Sequence, residues 1–376
     1  MSIPEDSATL SPNSSDRLFS VSPAAAQAYY DMSDRLVAWV RDELEANADI
    51  PALIGGNQRE LVRDGLNNHV AFFATVLRQN SSELLVKVVP WMYRVYRARG
   101  FSYDYFPIEF ASWKKGVNEC LSGPHCVEIC NVYDQLIIMH LDNIQRSESN
   151  QGLIFAPQRG TNRLQESLLT SLLSGDTGGT LRLVDEAIRT EDDLKRFYLD
   201  ALAPAMYRIG ILWERNEISV AEEHLSTAIV SRIAATLYAR FATVEVHRGK
   251  AVVSAGSNEL HEVGARMLAD FLELDGWDVH YLGANTPCGD LIKTLKKQKP
   301  FLLALSVSTL FNLEHARKAI AAIKEDQDAC GVKIMVGGLA FNVNAESWRD
   351  FGADGYAVDA EKAAMCANTW WDERDM

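Results

Sequence analysis

From Ala251 onward the chain alternates short β-rich runs, "AVVSAG", "DVHYLG", "FLLALSVS", "KIMVGG" and "GYAV", with stretches whose apolar residues recur at three and four. Few architectures accept this alternation. Successive strands joined by helical crossovers run parallel, and a parallel sheet needs helices on both faces. Residues 248–376 are therefore expected to form a flavodoxin- or Rossmann-like, doubly wound parallel sheet. Ligands of such sheets bind outside the carboxyl ends of the strands, so chemistry is sought in the loops that follow them.

The rest of the chain reads as helix. Residues 24–149 show helical spacing throughout, with Gly or Pro at several joins, and predict an all-helical domain of about five helices. Residues 1–23, rich in Ser, Pro and Asp, are expected to be a flexible arm. After the break "SESNQGLIFAPQRGTN", four further helical stretches predict a four-helix bundle over 160–245. Ser219 followed three residues later by Glu222 is a capping-box signature for the last of them. The expected fold class is thus α plus α/β, with the bundle as a cap on the sheet.

The loop after the first strand, "SAGSNELHEVG", has no G-x-G-x-x-G and no Walker pattern, so it is no phosphate cradle. Instead it places His261 at a strand end, with Glu259 two residues earlier and Gly264 opening the next helix. Imidazole is a good transition-metal ligand when a carboxylate holds its other ring nitrogen. A single protein ligand implies a metal that arrives already coordinated within a macrocycle.

At these residues the sequence resembles a known family. "ELHEVG" is similar to the D-x-H-x-x-G signature of base-off, His-on cobalamin-binding domains, with Glu259 in place of the Asp. "SVSTL", carrying Ser306 and Ser308, resembles the loop that contacts the nucleotide tail, and "VGGLAF", carrying Gly337 and Gly338, the double-glycine turn that admits it. The resemblance implies His261 as the cobalt ligand from below and Glu259 as the group that orients it. "LWERNEISVAEEH" resembles the W-x9-E-H motif of light-sensing cobalamin proteins, which implies Trp213 over the corrin and Glu223 and His224 beside a 5′-deoxyadenosyl group. The DNA-binding repressors of that family have a histidine directly after the Trp that can take the upper position on cobalt after photolysis. Glu214 stands there in this chain, which removes that residue from the scheme.

The N-terminal stretch "WMYRVYRARGFSYDYF" brings Trp91, Tyr93, Tyr103 and Tyr105 together with Arg94, Arg97 and Arg99. Aromatic walls with arginines suit a flat, propionate-bearing chromophore, since guanidinium pairs with carboxylate in bidentate fashion. They suit a core and dimer surface equally. The overall layout is similar to that of the photocobilins, cobalamin photoreceptors without a DNA-binding domain that also bind biliverdin. That resemblance implies biliverdin as a second cofactor beside adenosylcobalamin.

Composition narrows the function classes. The formal charge of −14 and the absence of a basic block argue against nucleic acid as a partner. No apolar run is long enough to span a bilayer and the opening residues lack a signal-peptide pattern, so a cytoplasmic location is expected. The six cysteines are too scattered for a disulfide framework. Cys126 and Cys130 beside His125 are open to two readings, buried packing or a metal cluster. The reading that follows is a non-enzymatic light sensor, a homo-oligomer signalling to a protein partner. A corrinoid carrier in methyl transfer and a non-photic cobalamin sensor are the alternatives. A mutase subunit would need a substrate barrel for which the chain has no room.

Overall fold

The computed structural model describes residues 18–57, 59–149, 162–241 and 245–374. The N-terminal domain runs α1 (Pro23–Asp31), α2 (Ser33–Ala46), α3 (Ile50–Leu53), α4 (Arg59–Gln79), α5 (Ser82–Ala98), α6 (Tyr105–Cys120), α7 (Gly123–Ile138) and α8 (His140–Glu148). Two of the long helical stretches read from the sequence are broken, at Met32 and at Met139, where ψ rises to about 6° and the chain turns. The expected mobile arm ends earlier than composition implies. Phe19 and Val21 are buried in the domain core, and Ser22 caps α1 by accepting the Ala25 amide at 3.2 Å. Residues 1–17 of that arm lie outside the described residues, as does most of the expected linker, residues 150–161.

The bundle consists of α9 (Arg163–Leu173), α10 (Thr177–Ala187), α11 (Glu191–Phe197), which continues through a π turn (Tyr198–Leu202) into α12 (Ala203–Glu214), and α13 (Val220–Phe241). The π turn has a local cause. Pro204 has no amide hydrogen for the Asp200 carbonyl, and the ladder widens so that the Ala203 amide bonds to Tyr198. The Asp200 carbonyl instead accepts Asn162 Nδ2 at 2.7 Å, and the same Asn162 side chain caps α9 through the Gln165 amide at 2.8 Å. The capping box expected at the last helix is present: Ser219 Oγ accepts the Glu222 amide at 3.2 Å, and Glu222 Oε2 accepts the Ser219 amide at 2.7 Å.

The C-terminal domain runs β1 (Lys250–Ala255), α14 (Val263–Leu274), β2 (Asp278–Tyr281), α15 (Cys288–Gln298), β3 (Leu302–Ser306), α16 (Leu313–Glu325), β4 (Lys333–Gly337), α17 (Leu339–Asn342), β5 (Gly355–Ala357) and α18 (Ala360–Glu373). The strands are all parallel in the order β2-β1-β3-β4-β5. The chain reverses its direction across the sheet between β1 and β3, and their carboxyl ends diverge into the two loops singled out above.

Three cores hold the molecule together. One lies within the N-terminal domain, and another between α15, α16 and one face of the sheet. The third joins the bundle to the opposite face, packing Leu199 and Leu202 of the π turn with Ala265, Met267 and Val253. Each fully buried side chain of that size contributes roughly 1.5–3 kcal/mol, so the cap is an integral part of the sheet domain's core. The N-terminal domain touches both other units. Arg78 of α4 lies 3.4 Å from Glu314 of α16, Lys318 sits over the Tyr30 ring at 4.1 Å, and Arg99, just past α5, sits over Trp213 at the end of α12.

Candidate functional site: a histidine loop, a glycine-lined slot and a helical cap

Glu259 organises the loop after β1. It has no exposure to solvent, and all its partners are donors. Oε1 accepts the His261 amide at 3.0 Å and His261 Nδ1 at 2.6 Å. Oε2 accepts the Ser308 amide at 2.9 Å, the Thr309 amide at 3.0 Å, the Thr309 hydroxyl at 2.9 Å and Asn312 Nδ2 at 3.2 Å. Burial alone would raise this carboxyl, but the hydrogen bond and charge of His261 and the backbone amides hold it down at about 2. Asn258 supplies the sharp turn before it with φ +64°, and its carbonyl accepts Asn312 Nδ2 at 3.0 Å.

His261 itself is presented outward, its side chain 61% exposed. The bond to Glu259 fixes Nδ1 as the protonated nitrogen and raises the histidine's pKa, with Glu223 of the bundle adding in the same direction. Nε2 is left as the nitrogen available to a metal. Thr309 and Asn312 complete this arrangement without a signature of their own. The polar run "SVSTLFN" after a strand is the signal that points to them.

Beside the loop a cavity of about 100 Å³ runs down between β3, β4, α14 and α18. Gly264, Ser306, Gly337 and Gly338 line it from the sheet domain, and Leu199 and Tyr207 from the bundle. The glycines are required by space. A Cβ on Gly337 would lie 2.9 Å from the Ala357 carbonyl oxygen, and one on Gly338, where φ is +95°, 2.3 Å from that of Val307. Ser308 acts through its backbone amide on Glu259 and is not among the residues that line this cavity. A narrow, mostly apolar slot near an outward imidazole can receive part of an organic ligand.

Over the loop stands the cap. His224 Nδ1 and Glu223 Oε2 are 2.6 Å apart, and Glu223 Oε1 accepts the Thr227 hydroxyl at 2.9 Å. His224 is largely exposed, as are Leu225 and Leu260. Trp213 is half-buried. Glu214 is turned inward and almost fully buried, and that burial raises its pKa against the opposing pull of Trp91, Arg94, Arg215 and Arg99.

The N-terminal aromatic residues separate into two groups. Tyr93 and Tyr105 are core residues: Tyr93 stacks on Phe106 at 3.7 Å and bonds to His140, and Tyr105 packs edge-on to Phe101. Tyr103 lies under the Arg97 guanidinium at 5.4 Å. Trp91 and Arg94 face Glu214 of the bundle. Cys126 and Cys130 are buried with sulfurs 3.9 Å apart, and among the described residues no group of three His, Cys, Asp or Glu is placed to hold a metal ion. No described helix is long and apolar enough to cross a membrane.

Two segments of the chain match known protein families. Residues 249–365 match a family described as a B12 binding domain, and residues 164–238 match a second family with the same description. Dimethylamine corrinoid protein 2 of Methanosarcina mazei is 26% identical over 54% of this chain and 95% of its own length. The HTH-type transcriptional repressor CarA of Myxococcus xanthus is 27% identical over 55% of this chain and 68% of its own. Among solved structures, the monomethylamine corrinoid protein of Methanosarcina barkeri aligns with a TM-score of 0.48 at 21% identity, over 54% of this chain and 96% of its own. The chain is a cobalamin-binding-domain protein related to the corrinoid proteins and to the CarA repressor.

Proposed function

We propose that the protein holds adenosylcobalamin between the bundle and the sheet and acts as a light-responsive signalling protein, not as an enzyme. The observation that carries this reading is the Glu223–His224 pair of the bundle, 2.6 Å apart, with the imidazoles of His224 and His261 both presented outward. His261 Nε2 would hold the cobalt, Glu259 would keep the imidazole oriented, and the slot lined by Ser306, Gly337 and Gly338 would receive the nucleotide tail. Trp213, Glu223 and His224 would contact the adenosyl group, which a polar pair and an indole suit. When bound, the cofactor supplies a cobalt–carbon bond that visible light cleaves. Trp213 and the Glu223–His224 pair would be the residues that register whether the adenosyl group is present, by favouring one packing of the cap against the sheet over another. The signal would pass to a protein partner or to a second copy of the chain.

The relatives favour a second reading, a corrinoid carrier in methyl transfer, because dimethylamine corrinoid proteins match over nearly their whole length. A cobalamin-level sensor is compatible with the same site. The test reads the absorption spectrum and the gel-filtration elution volume of the protein reconstituted in the dark with adenosylcobalamin, before and after green light, with His261→Ala beside it. A light-dependent change in elution volume that is absent in H261A supports the sensor. Photolysis of the bound cofactor without any change in the protein moves the reading to a carrier, and the absence of binding would sink both. Biliverdin added to the same sample tests the second chromophore. With Tyr93 and Tyr105 packed in the core, a bilin there requires that core to open, and a red absorption band is the result that would establish it.

A further inference from the structure

We propose that Arg99 of the N-terminal domain is a positioning residue for Trp213, so that this domain takes part in selecting the upper group of the bound cobalamin. The inference rests on the reading of Trp213 as the cap over the upper face.

The geometry is specific. The Arg99 guanidinium lies over the Trp213 ring at 4.3 Å from its centroid. The same fork donates from Nη2 to the Trp213 carbonyl at 3.3 Å and from Nη1 to the Glu214 carbonyl at 3.4 Å. These are the last two residues of α12, where the helix dipole favours a cation; the Trp213 carbonyl also accepts the Asn216 amide at 2.9 Å, so Arg99 shares it with the closing turn. One side chain thus fixes both the ring of Trp213 and the backbone that carries it. A lysine could supply the charge but neither the flat stacking face nor the two-pronged donation.

Arg99 is itself anchored. Its carbonyl accepts Asn57 Nδ2 at 2.7 Å, and Asn57 also donates to the Ile54 carbonyl at 2.6 Å. Arg99 Nη1 donates to Val95 at 3.0 Å, one turn back on α5. The neighbouring turn is packed backbone against backbone, since a Cβ on Gly55 would lie 2.3 Å from the Gly100 oxygen. The platform is also tied to the sheet domain. Arg78 pairs with Glu314, and Lys87 donates to the Val343 carbonyl at 3.3 Å. Trp213 is therefore referenced to the His261 loop by a second route, through the N-terminal domain, besides its own bundle. A displacement of Trp213 would strain that route, which makes Arg99 the contact through which the N-terminal domain senses the upper face.

The test is a double-mutant cycle on the full chain, reading dissociation constants for adenosylcobalamin and hydroxocobalamin in the dark. The proteins are wild type, Arg99→Ala, Arg99→Lys, Trp213→Ala and the double variant R99A/W213A. The expected result is a preference of the wild type for adenosylcobalamin that falls about tenfold in R99A, with hydroxocobalamin affinity unchanged. R99K falls less than R99A, and R99A has no further effect once Trp213 is gone. An adenosyl preference unaltered by R99A, an equal loss for both ligands, or additive losses in the double variant would each overturn the proposal. A wild type without any adenosyl preference, matched by W213A, would instead remove the reading of Trp213 as the cap. R99K, which retains the cation at the helix end, separates a folding defect from a positioning one.

Discussion

Replacing Glu259 by Gln tests the centre of the site, because the two side chains have the same shape and differ in charge and in one donor. Every partner of Glu259 is a donor, on both oxygens. Whichever way the amide is turned, its NH2 group faces other donors, and a buried unmatched donor costs about 1–3 kcal/mol. The titration gives an independent figure. A carboxyl held at about 2, against 4.5 for an unperturbed glutamate, is worth about 3 kcal/mol to the folded state at pH 7. The sign follows from the depressed value. The stabilisation is fully present above pH 4.5 and is lost as pH falls towards 2, with roughly half gone by pH 3. Urea unfolding of wild type and E259Q at pH 7 should differ by this amount, and the difference should shrink in acid. Cobalamin affinity should fall about 10–100-fold, since the group that orients the ligating imidazole is lost. An E259Q protein with an unchanged unfolding midpoint at pH 7 would refute the argument. Unchanged cobalamin affinity would show that His261 needs no such support.

Three further outcomes are expected. Gly338→Ala should destabilise the protein by about 1–3 kcal/mol in thermal unfolding, because its backbone has φ +95° and its Cβ meets the Val307 carbonyl. It should weaken cobalamin more than a corrinoid lacking the nucleotide tail, and an equal loss for both would place the tail elsewhere. Glu109, buried beside His69 and Trp113, is pushed up by desolvation to about 7, so its contribution to stability declines as pH rises from 4.5 to 7 and levels off above. The stability difference between Glu109→Gln and wild type should therefore move in favour of the variant by about 3 kcal/mol between pH 4 and pH 8, and a difference that does not change with pH would refute it. Tyr198→Phe removes the 2.5 Å bond to Asp270, a carboxyl that burial raises to about 6, and should cost about 1–3 kcal/mol in urea unfolding, with a neutral effect counting against that bond.

The sheet domain was legible because its signals are local. Strands of three to six residues, helical spacing between them and a histidine at a strand end are properties of short segments. The same holds for the Ser219–Glu222 capping box and for the double glycine. The helix count of the N-terminal domain was less legible. The breaks at Met32 and Met139 carry no Gly or Pro, and the helices that end there are joined by a contact no local pattern records, Tyr29 to Tyr133 at 2.7 Å across 104 residues.

The sequence by itself determined which residues lie at the strand ends and which turns need glycine, since period, cap chemistry and backbone sterics act over a few residues. Only the tertiary structure decided that Glu259 gathers donors from both loops at the β1–β3 divergence, and that Pro204 and Asn162 together shape the wall of the slot. Tertiary structure also turned the aromatic and arginine run along α5 and its C-cap two ways, Tyr93 into a core and Arg99 onto Trp213. Burial and long-range hydrogen bonding pair residues tens to hundreds of positions apart, and no local pattern records which partner each will find.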